Sequence, residues 1–191
     1  PLDDDLDLAA VNSPTNNVVA GPTKAVERFV SELDAKGIRN RILETSHAFH
    51  SRMLDATLEE FRRELAKLQF NTPRECIISN VTGLPMTNSQ ALDHNYWVEQ
   101  LRQPVRFSNG LTNFPMDDDP IFLEMGPGRV LSGFVVQHDP AYDTVTAMFR
   151  SDEDASANEH QIAIDSLGAI WSMGADIDWS VFSSPQTCGW P

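Results

Sequence analysis

The stretch Thr45-Ser46-His47-Ala48-Phe49-His50-Ser51 stands between a run that reads as a strand, Arg41-Ile42-Leu43-Glu44, and a long amphipathic pattern starting near Met53. Folds of the α/β class gather their functional loops where strands hand over to helices. Two histidines three apart at such a junction are candidate bases, because an imidazole exchanges a proton near neutral pH. Taken alone, a histidine at a loop-helix junction is more often a helix cap, a packing residue or a surface group. The flanking sequence has to arbitrate.

Downstream, Leu54, Leu58, Phe61, Leu65 and Leu68 recur at steps of three and four, the pattern of a helix buried along one face. Its other face carries Glu59, Glu60, Arg62, Arg63 and Lys67, a solvated surface with local ion pairs. Cys76-Ile77-Ile78-Ser79-Asn80-Val81 reads as a strand closed by Thr82-Gly83, with Cys76 expected as a small buried hydrophobe. Tyr96 to Leu101 forms a short helix ended by Gln103-Pro104, and Phe107, Leu111 and Phe114 mark another. Ile121 to Met125 reads as a central strand. Gly126-Pro127-Gly128 turns it into a helix holding Val130, Leu131, Phe134 and Val135. That turn lacks the lysine and hydroxyl of a nucleotide-binding loop, so it reads as a close-packed turn. A strand over Thr144–Met148, an acidic linker over Ser151–Glu159 and a last helix through Ala163, Leu167, Ile170 and Trp171, stopped at Gly174, complete the pattern.

Upstream, Leu6–Asn12 and Asn17–Ala20 read as strands around the turn-rich Ser13-Pro14-Thr15-Asn16. Val26, Phe29, Val30 and Leu33 then recur at helical spacing, with Gly37 as the stop. With Arg41–Glu44 as a further strand, the order is ββαβ, which suits a small ferredoxin-like α+β subdomain. Three segments are expected: 1–45 as that subdomain, 46–137 as an α/β core, and 138–191 as a linker with one helix.

The net charge of −14 excludes nucleic acid and anionic membrane surfaces as natural partners. No run reaches the roughly 18 apolar residues of a membrane span, and Pro1-Leu2-Asp3-Asp4-Asp5 is no signal peptide. Cys76 and Cys188 lie far apart without metal-ligand spacing, which suits a reduced, cytoplasmic setting. The acidic clusters Asp3–Asp5, Asp117–Asp119 and Asp152–Asp154 lack calcium-loop spacing, so no metal is expected.

Several stretches taken together resemble a known family. Ala10-Val11-Asn12-Ser13-Pro14, Val19-Ala20-Gly21-Pro22 and Ser46-His47-Ala48-Phe49-His50-Ser51 are similar to the acyltransferase domains of polyketide synthases. So are Tyr96-Trp97, Gln100 to Phe107, and Phe122 to Leu131. Even the tail, from Leu167-Gly168-Ala169-Ile170-Trp171 to Asp178-Trp179, resembles the segment that follows the acyltransferase in such synthases. A related free-standing enzyme is malonyl-CoA:acyl-carrier-protein transacylase.

The resemblance implies an α/β fold: the C-terminal part of an α/β-hydrolase-like acyltransferase core, with the ferredoxin-like subdomain and a downstream linker. It implies transfer of a malonyl unit from malonyl-CoA, through a serine ester, to the phosphopantetheine thiol of an acyl carrier protein. His50 becomes the general base, and the main-chain carbonyl of Gln100 the acceptor that fixes its tautomer, in place of a triad carboxylate. His47 and Phe49 become selectivity residues: the His-Ala-Phe-His tetrapeptide goes with malonyl units, and one methyl is worth about 1–3 kcal/mol in such discrimination. Arg102, Arg106 and Arg129 are candidate contacts for CoA or the carrier protein. No cofactor is expected on this chain, because the phosphopantetheine arrives on CoA and on the carrier.

The family's G-x-S-x-G elbow is absent, and Ser13, Ser46, Ser51, Ser79 and Ser108 lack its flanking glycines. The chain reads as a C-terminal portion with the base but no nucleophile, expected to be inactive alone and completed by an N-terminal half or the rest of a megasynthase. The competing expectation is a non-catalytic scaffold or linker module.

Overall fold

The computed structural model describes residues 4–115, 120–126, 128–145 and 159–182. The chain divides into two compact units, Pro1–Pro115 and Met116–Pro191. Within the first unit the N-terminal hairpin is bonded to segments far along the chain.

That hairpin is antiparallel: β1, Asp7–Ser13, pairs with β2, Asn16–Ala20, close to the strands expected. Pro14-Thr15 make the tight turn, and the Ser13 hydroxyl accepts the Thr15 N–H at 3.3 Å. On its other side β1 meets a single parallel bridge. Val11 N donates to Val105 O at 2.8 Å, and Val105 N to Ala9 O at 2.9 Å. Helix α1, Thr23–Ala35, buries Ala25 and half-buries Val26, Phe29, Val30 and Leu33. It closes in a Schellman motif, with Gly37 N bonded to Asp34 O and Ile38 N to Leu33 O. Gly37 sits at φ +65, which glycine alone adopts without steric cost.

Arg41–Glu44, expected as a strand, pairs with nothing among the described residues and has no regular structure. Ile42 and Leu43 are 58% and 45% exposed. A strand exists by its ladder, and without a neighbouring edge the apolar run stays irregular. The ββαβ order is therefore not completed within the described residues.

A 3-10 helix, Arg52–Thr57, precedes α2, Leu58–Leu65, in place of the one continuous helix expected. Leu54 and Leu65 are buried as the pattern requires, whereas Leu68 lies beyond the helix end and is exposed. Cys76–Val81 forms only an isolated bridge, Ile78 to Pro85, and not a strand. Cys76 is exposed, contrary to expectation. The segment is organised by a buried hydroxyl instead. Ser79 Oγ accepts the N–H groups of Val81 and Thr82 and the Tyr96 hydroxyl, the last at 2.8 Å. A two-sided apolar run thus becomes a capped turn: Ile77 O and Ser79 N bond the backbone of Met86 and Leu84 just downstream, Ser79 O accepts Gly83 N, and the Ser79 hydroxyl caps the bend.

Three short helices complete the first unit: α3, Asn88–Leu92, with a Thr87–Gln90 capping box; α4, His94–Arg102; and α5, Phe107–Asn113. Tyr96, Val98 and Leu111 join Leu6, Ala9, Leu54 and Leu65 in the core.

The second unit contains a parallel βαβ arrangement. Strand β3, Ile121–Leu123, runs through the glycine turn into α6, Val130–His138, and then into β4, Asp143–Val145, which pairs with β3. The expected strand reaches Met148, and its residues 146–148 lie outside the described ones. So do 151–158 of the linker, the two later acidic clusters and Cys188. Helix α7, Glu159–Ser172, ends at Gly174, φ +100, again with Schellman bonding from Gly174 N and Ala175 N. A 3-10 turn over Trp179–Phe182 follows.

Candidate active site

The Thr45–Ser51 turn is bonded largely to itself. Thr45 Oγ1 and Phe49 N both donate to the His47 carbonyl, each at 3.1 Å, while Ser46 Oγ lies 3.0 Å from His47 Nδ1. Ser51, fully buried, donates its hydroxyl to Ala48 O at 2.6 Å and accepts Met53 N, capping the 3-10 helix. His50, between these bonds, sits at φ +55 and is the sole non-glycine residue at positive φ among those described. That left-handed conformation costs an ordinary side chain about 1–2 kcal/mol. Outliers of this kind persist where the surroundings over-determine them, and they cluster at functional sites.

The half-buried His50 ring has Nδ1 3.0 Å from the main-chain carbonyl of Gln103. A carbonyl oxygen only accepts, so the neutral ring carries its proton on Nδ1 and leaves the Nε2 lone pair available. Among the described residues Nε2 has no hydrogen-bond partner. The expected acceptor, the Gln100 carbonyl, is not the one used. Gln100 lies inside α4, where a carbonyl points along the helix axis toward the fourth residue on, here Pro104, which has no N–H. Gln103 has left helical geometry, at φ −80 and ψ 157, as a residue before proline prefers. Its carbonyl therefore leaves the axis and is free to meet the ring. Gln103 is the residue the sequence reading misses, and Pro104 is the signal that could have found it.

Two ion pairs lock this junction to its neighbours. The Asp7 carboxylate of β1 receives Arg52, and Arg102 Nε at the end of α4 meets Asp55 Oδ1 at 2.5 Å. Hydrogen bonds from the Arg52 guanidinium, opposed by partial burial and aided by the Arg52 main-chain N–H, hold Asp7 below its usual value. Arg102 is thus engaged with Asp55, which removes it from the pool of uncommitted cations expected for CoA. Arg106 is exposed and bonded through its main chain, its N–H to Asn80 O and its carbonyl to Gly110 N, each at 2.9 Å. Arg129, also exposed, belongs to the second unit. His47 and Phe49 are exposed with ring centroids 6.0 Å apart, so the two selectivity candidates form one aromatic edge beside His50.

No described serine offers itself as nucleophile to this imidazole. The Ser51 and Ser79 hydroxyls are both buried and committed to structural bonds. Among the described residues no group of three or more His, Cys, Asp or Glu side chains is placed to hold a metal, and no helix is long and apolar enough to cross a membrane.

In the second unit, the buried carboxylate of Glu124 accepts Leu131 N at 3.1 Å, Ser132 N at 2.9 Å and Ser132 Oγ at 2.7 Å. Burial pushes this carboxyl up, but the hydrogen bonds from Ser132, Leu131 and Val130 outweigh it and leave it below its usual value. Glu124 fixes the start of α6 and with it the glycine turn, a role the sequence reading does not assign.

Residues 2–152 match the family described as acyl transferase domain. One component of the phenolphthiocerol/phthiocerol polyketide synthase of Mycobacterium tuberculosis is 32% identical over 182 residues, 94% of this chain and 12% of that protein. Among solved structures, the acyl transferase domain of SpnD, in complex with 2-(pent-4-yn-1-yl)malonyl, superposes with a TM-score of 0.84 at 37% identity, covering 91% of this chain and 42% of that one. The acyltransferase domain from the second module of the salinomycin polyketide synthase gives 0.82 at 33%, covering 96% and 42%. The chain thus spans about an eighth of that curated relative and less than half of either solved domain. With the mixed α/β fold, the histidine turn and these matches in agreement, the chain belongs to the acyl transferase domain family, in the form found in polyketide synthases.

Proposed function

We propose that this chain forms part of a malonyl-type acyltransferase of a cytoplasmic polyketide synthase, with His50 as its general base. The observation that carries the reading is the His50 ring, set on a left-handed residue and bonded through Nδ1–H to the Gln103 carbonyl, so that Nε2 is the basic atom. A serine outside these 191 residues attacks the thioester carbonyl of malonyl-CoA, and Nε2 takes the hydroxyl proton. The tetrahedral adduct expels the CoA thiolate, which regains that proton from the imidazolium. In the second half, Nε2 accepts the proton of the carrier protein's phosphopantetheine thiol. The thiolate attacks the malonyl ester, and the serine leaves with the proton returned. His47 and Phe49 form the wall that disfavours a 2-substituent on the acyl group. Within the first unit Arg106 is the candidate contact for the acidic CoA and carrier, offsetting the strongly negative chain.

The test is complementation. The chain is mixed with an N-terminal acyltransferase half carrying the serine elbow, and malonyl transfer to a carrier protein is assayed. Transfer that requires both halves and disappears in His50→Ala is expected. Transfer that survives His50→Ala, or no transfer at all with both halves folded, would assign the chain to a non-catalytic docking role instead.

A further inference from the structure

Both ends of the His50–Gln103 hydrogen bond are tied to one strand. Asp7, the first residue of β1, accepts the main-chain N–H of Arg52 on Oδ2 at 2.7 Å. The same carboxylate takes Arg52 Nε at 3.1 Å and Nη2 at 3.0 Å, while Arg52 Nη1 reaches the Asp4 carbonyl. Arg52 lies two residues past His50. Further along the same strand, Ala9 O and Val11 N bond Val105, two residues past Gln103. One short piece of extended backbone therefore sets the spacing between the segment carrying the base and the segment carrying its acceptor.

A surface ion pair by itself contributes little to stability. This one differs in that three N–H groups converge on a carboxylate only 17% exposed, and one of them belongs to the main chain two residues past His50, which sits at φ +55. Bidentate guanidinium bonding adds direction to the grip. The Ser51 hydroxyl bridges Ala48 O and Met53 N, bracketing the same turn from inside. Without an external hold, His50 would relax toward the ordinary right-handed or extended regions and swing its ring off the Gln103 carbonyl.

We propose that Asp7 is a positioning residue for the His50 base: by gripping the main chain and the guanidinium of Arg52, it holds His50 in the conformation from which Nδ1–H reaches Gln103. The inference rests on the reading of His50 as the base, but it is tested without turnover. Nitrogen-15 spectra of the imidazole rings, recorded on the full chain at about pH 8 where histidine is neutral, report the His50 tautomer directly. The parent chain shows the Nδ1–H form. Asp7→Ala lowers the ratio of Nδ1–H to Nε2–H about fivefold, the effect of losing one hydrogen bond. Asp7→Asn, which keeps an acceptor for Arg52 N–H, and Arg52→Ala, which keeps the main-chain bond, each lower it about twofold. An Asp7→Ala ratio equal to the parent's, with cross-strand contacts between Leu8 and Val19 intact, overturns the proposal. If Asp7→Ala loses the hairpin, Arg52→Ala decides, since it leaves β1 untouched, and an unchanged ratio there overturns it as well. A parent chain already in the Nε2–H form would sink the general-base reading instead, so the two failures are distinguishable.

Discussion

The His50 turn and the Glu124 turn each lead into a helix, and each is held by polar groups aimed at that junction. They differ in where the holding groups come from. Glu124 reaches seven and eight residues ahead, to Leu131 and Ser132, so its staple is local. The His50 turn has a local part, the Ser51 cap, but its defining bonds run to Asp7 and Gln103, 45 residues from Arg52 and 53 residues from His50. A local staple forms with its own helix and persists as long as that helix does. A long-range one forms only when the hairpin, α4 and the turn are assembled, so it reports the integrity of the whole first unit. The strained φ occurs in the second kind of site, where several elements share the task of maintaining it.

Substitutions can separate the two kinds of hold. The largest effect is expected at His50 itself: in a complemented enzyme, His50→Ala lowers kcat/KM about ten-thousandfold, as loss of one member of a serine–histidine unit does. Its effect on thermal stability should be modest and unfavourable, since alanine keeps the Cβ that is strained at positive φ and loses the hydrogen bond to the Gln103 carbonyl. Next is Glu124→Ala, which strands two N–H groups and the Ser132 hydroxyl in a buried setting and costs about 2–3 kcal/mol of local stability. Amide exchange at Leu131 and Ser132 reads this directly, and exchange in the hairpin should not move. Ser51→Ala follows at about 1 kcal/mol, the usual cost of a lost cap. Here urea unfolding followed at Trp97 is the measurement, and the contrast fails if Ser51→Ala costs more than Glu124→Ala. The smallest effect concerns pH. Asp7 and Glu124 are both held below their usual values, so the unfolded chain binds protons more readily than the folded one. Their stabilisation is complete above the ordinary carboxylate range of about 4 and is lost as pH falls through it toward the folded values. Asp7→Asn should flatten the acid limb for the hairpin, and Glu124→Gln that for α6, each leaving the other unchanged in exchange measured between about pH 6 and pH 3.5.

The same distinction explains what is legible in the chain without its structure. Helices α1, α4, α5, α6 and α7 are legible because apolar spacing and terminal Gly37, Pro104 and Gly174 are local signals. The hairpin is legible from Pro14-Thr15 between two β-rich runs. Arg41–Glu44 and Cys76–Val81 mislead because an apolar run declares burial and extension but not a partner. One lacks a ladder, and the other folds straight back on Leu84 and Met86 through a turn capped by Ser79. At the site, the motif names His50, His47 and Phe49. It misplaces the acceptor by three residues because a motif fixes which segment faces the base, while the rotation of each carbonyl depends on where the helix stops. Asp7 carries no sequence signal at all, since a short-range pattern cannot link positions 7 and 52.

The acceptor that the His50 ring meets is a peptide oxygen, and that changes where heritable variation can touch it. Replacing the side chain at position 103 leaves the oxygen in place, so that site can drift in identity while its chemistry is preserved. The constraint passes to the pyrrolidine ring next door, which ends α4 and turns Gln103 outward. Surveys that look for a catalytic acid or amide by letter will pass over position 103 and see only an ordinary proline after it.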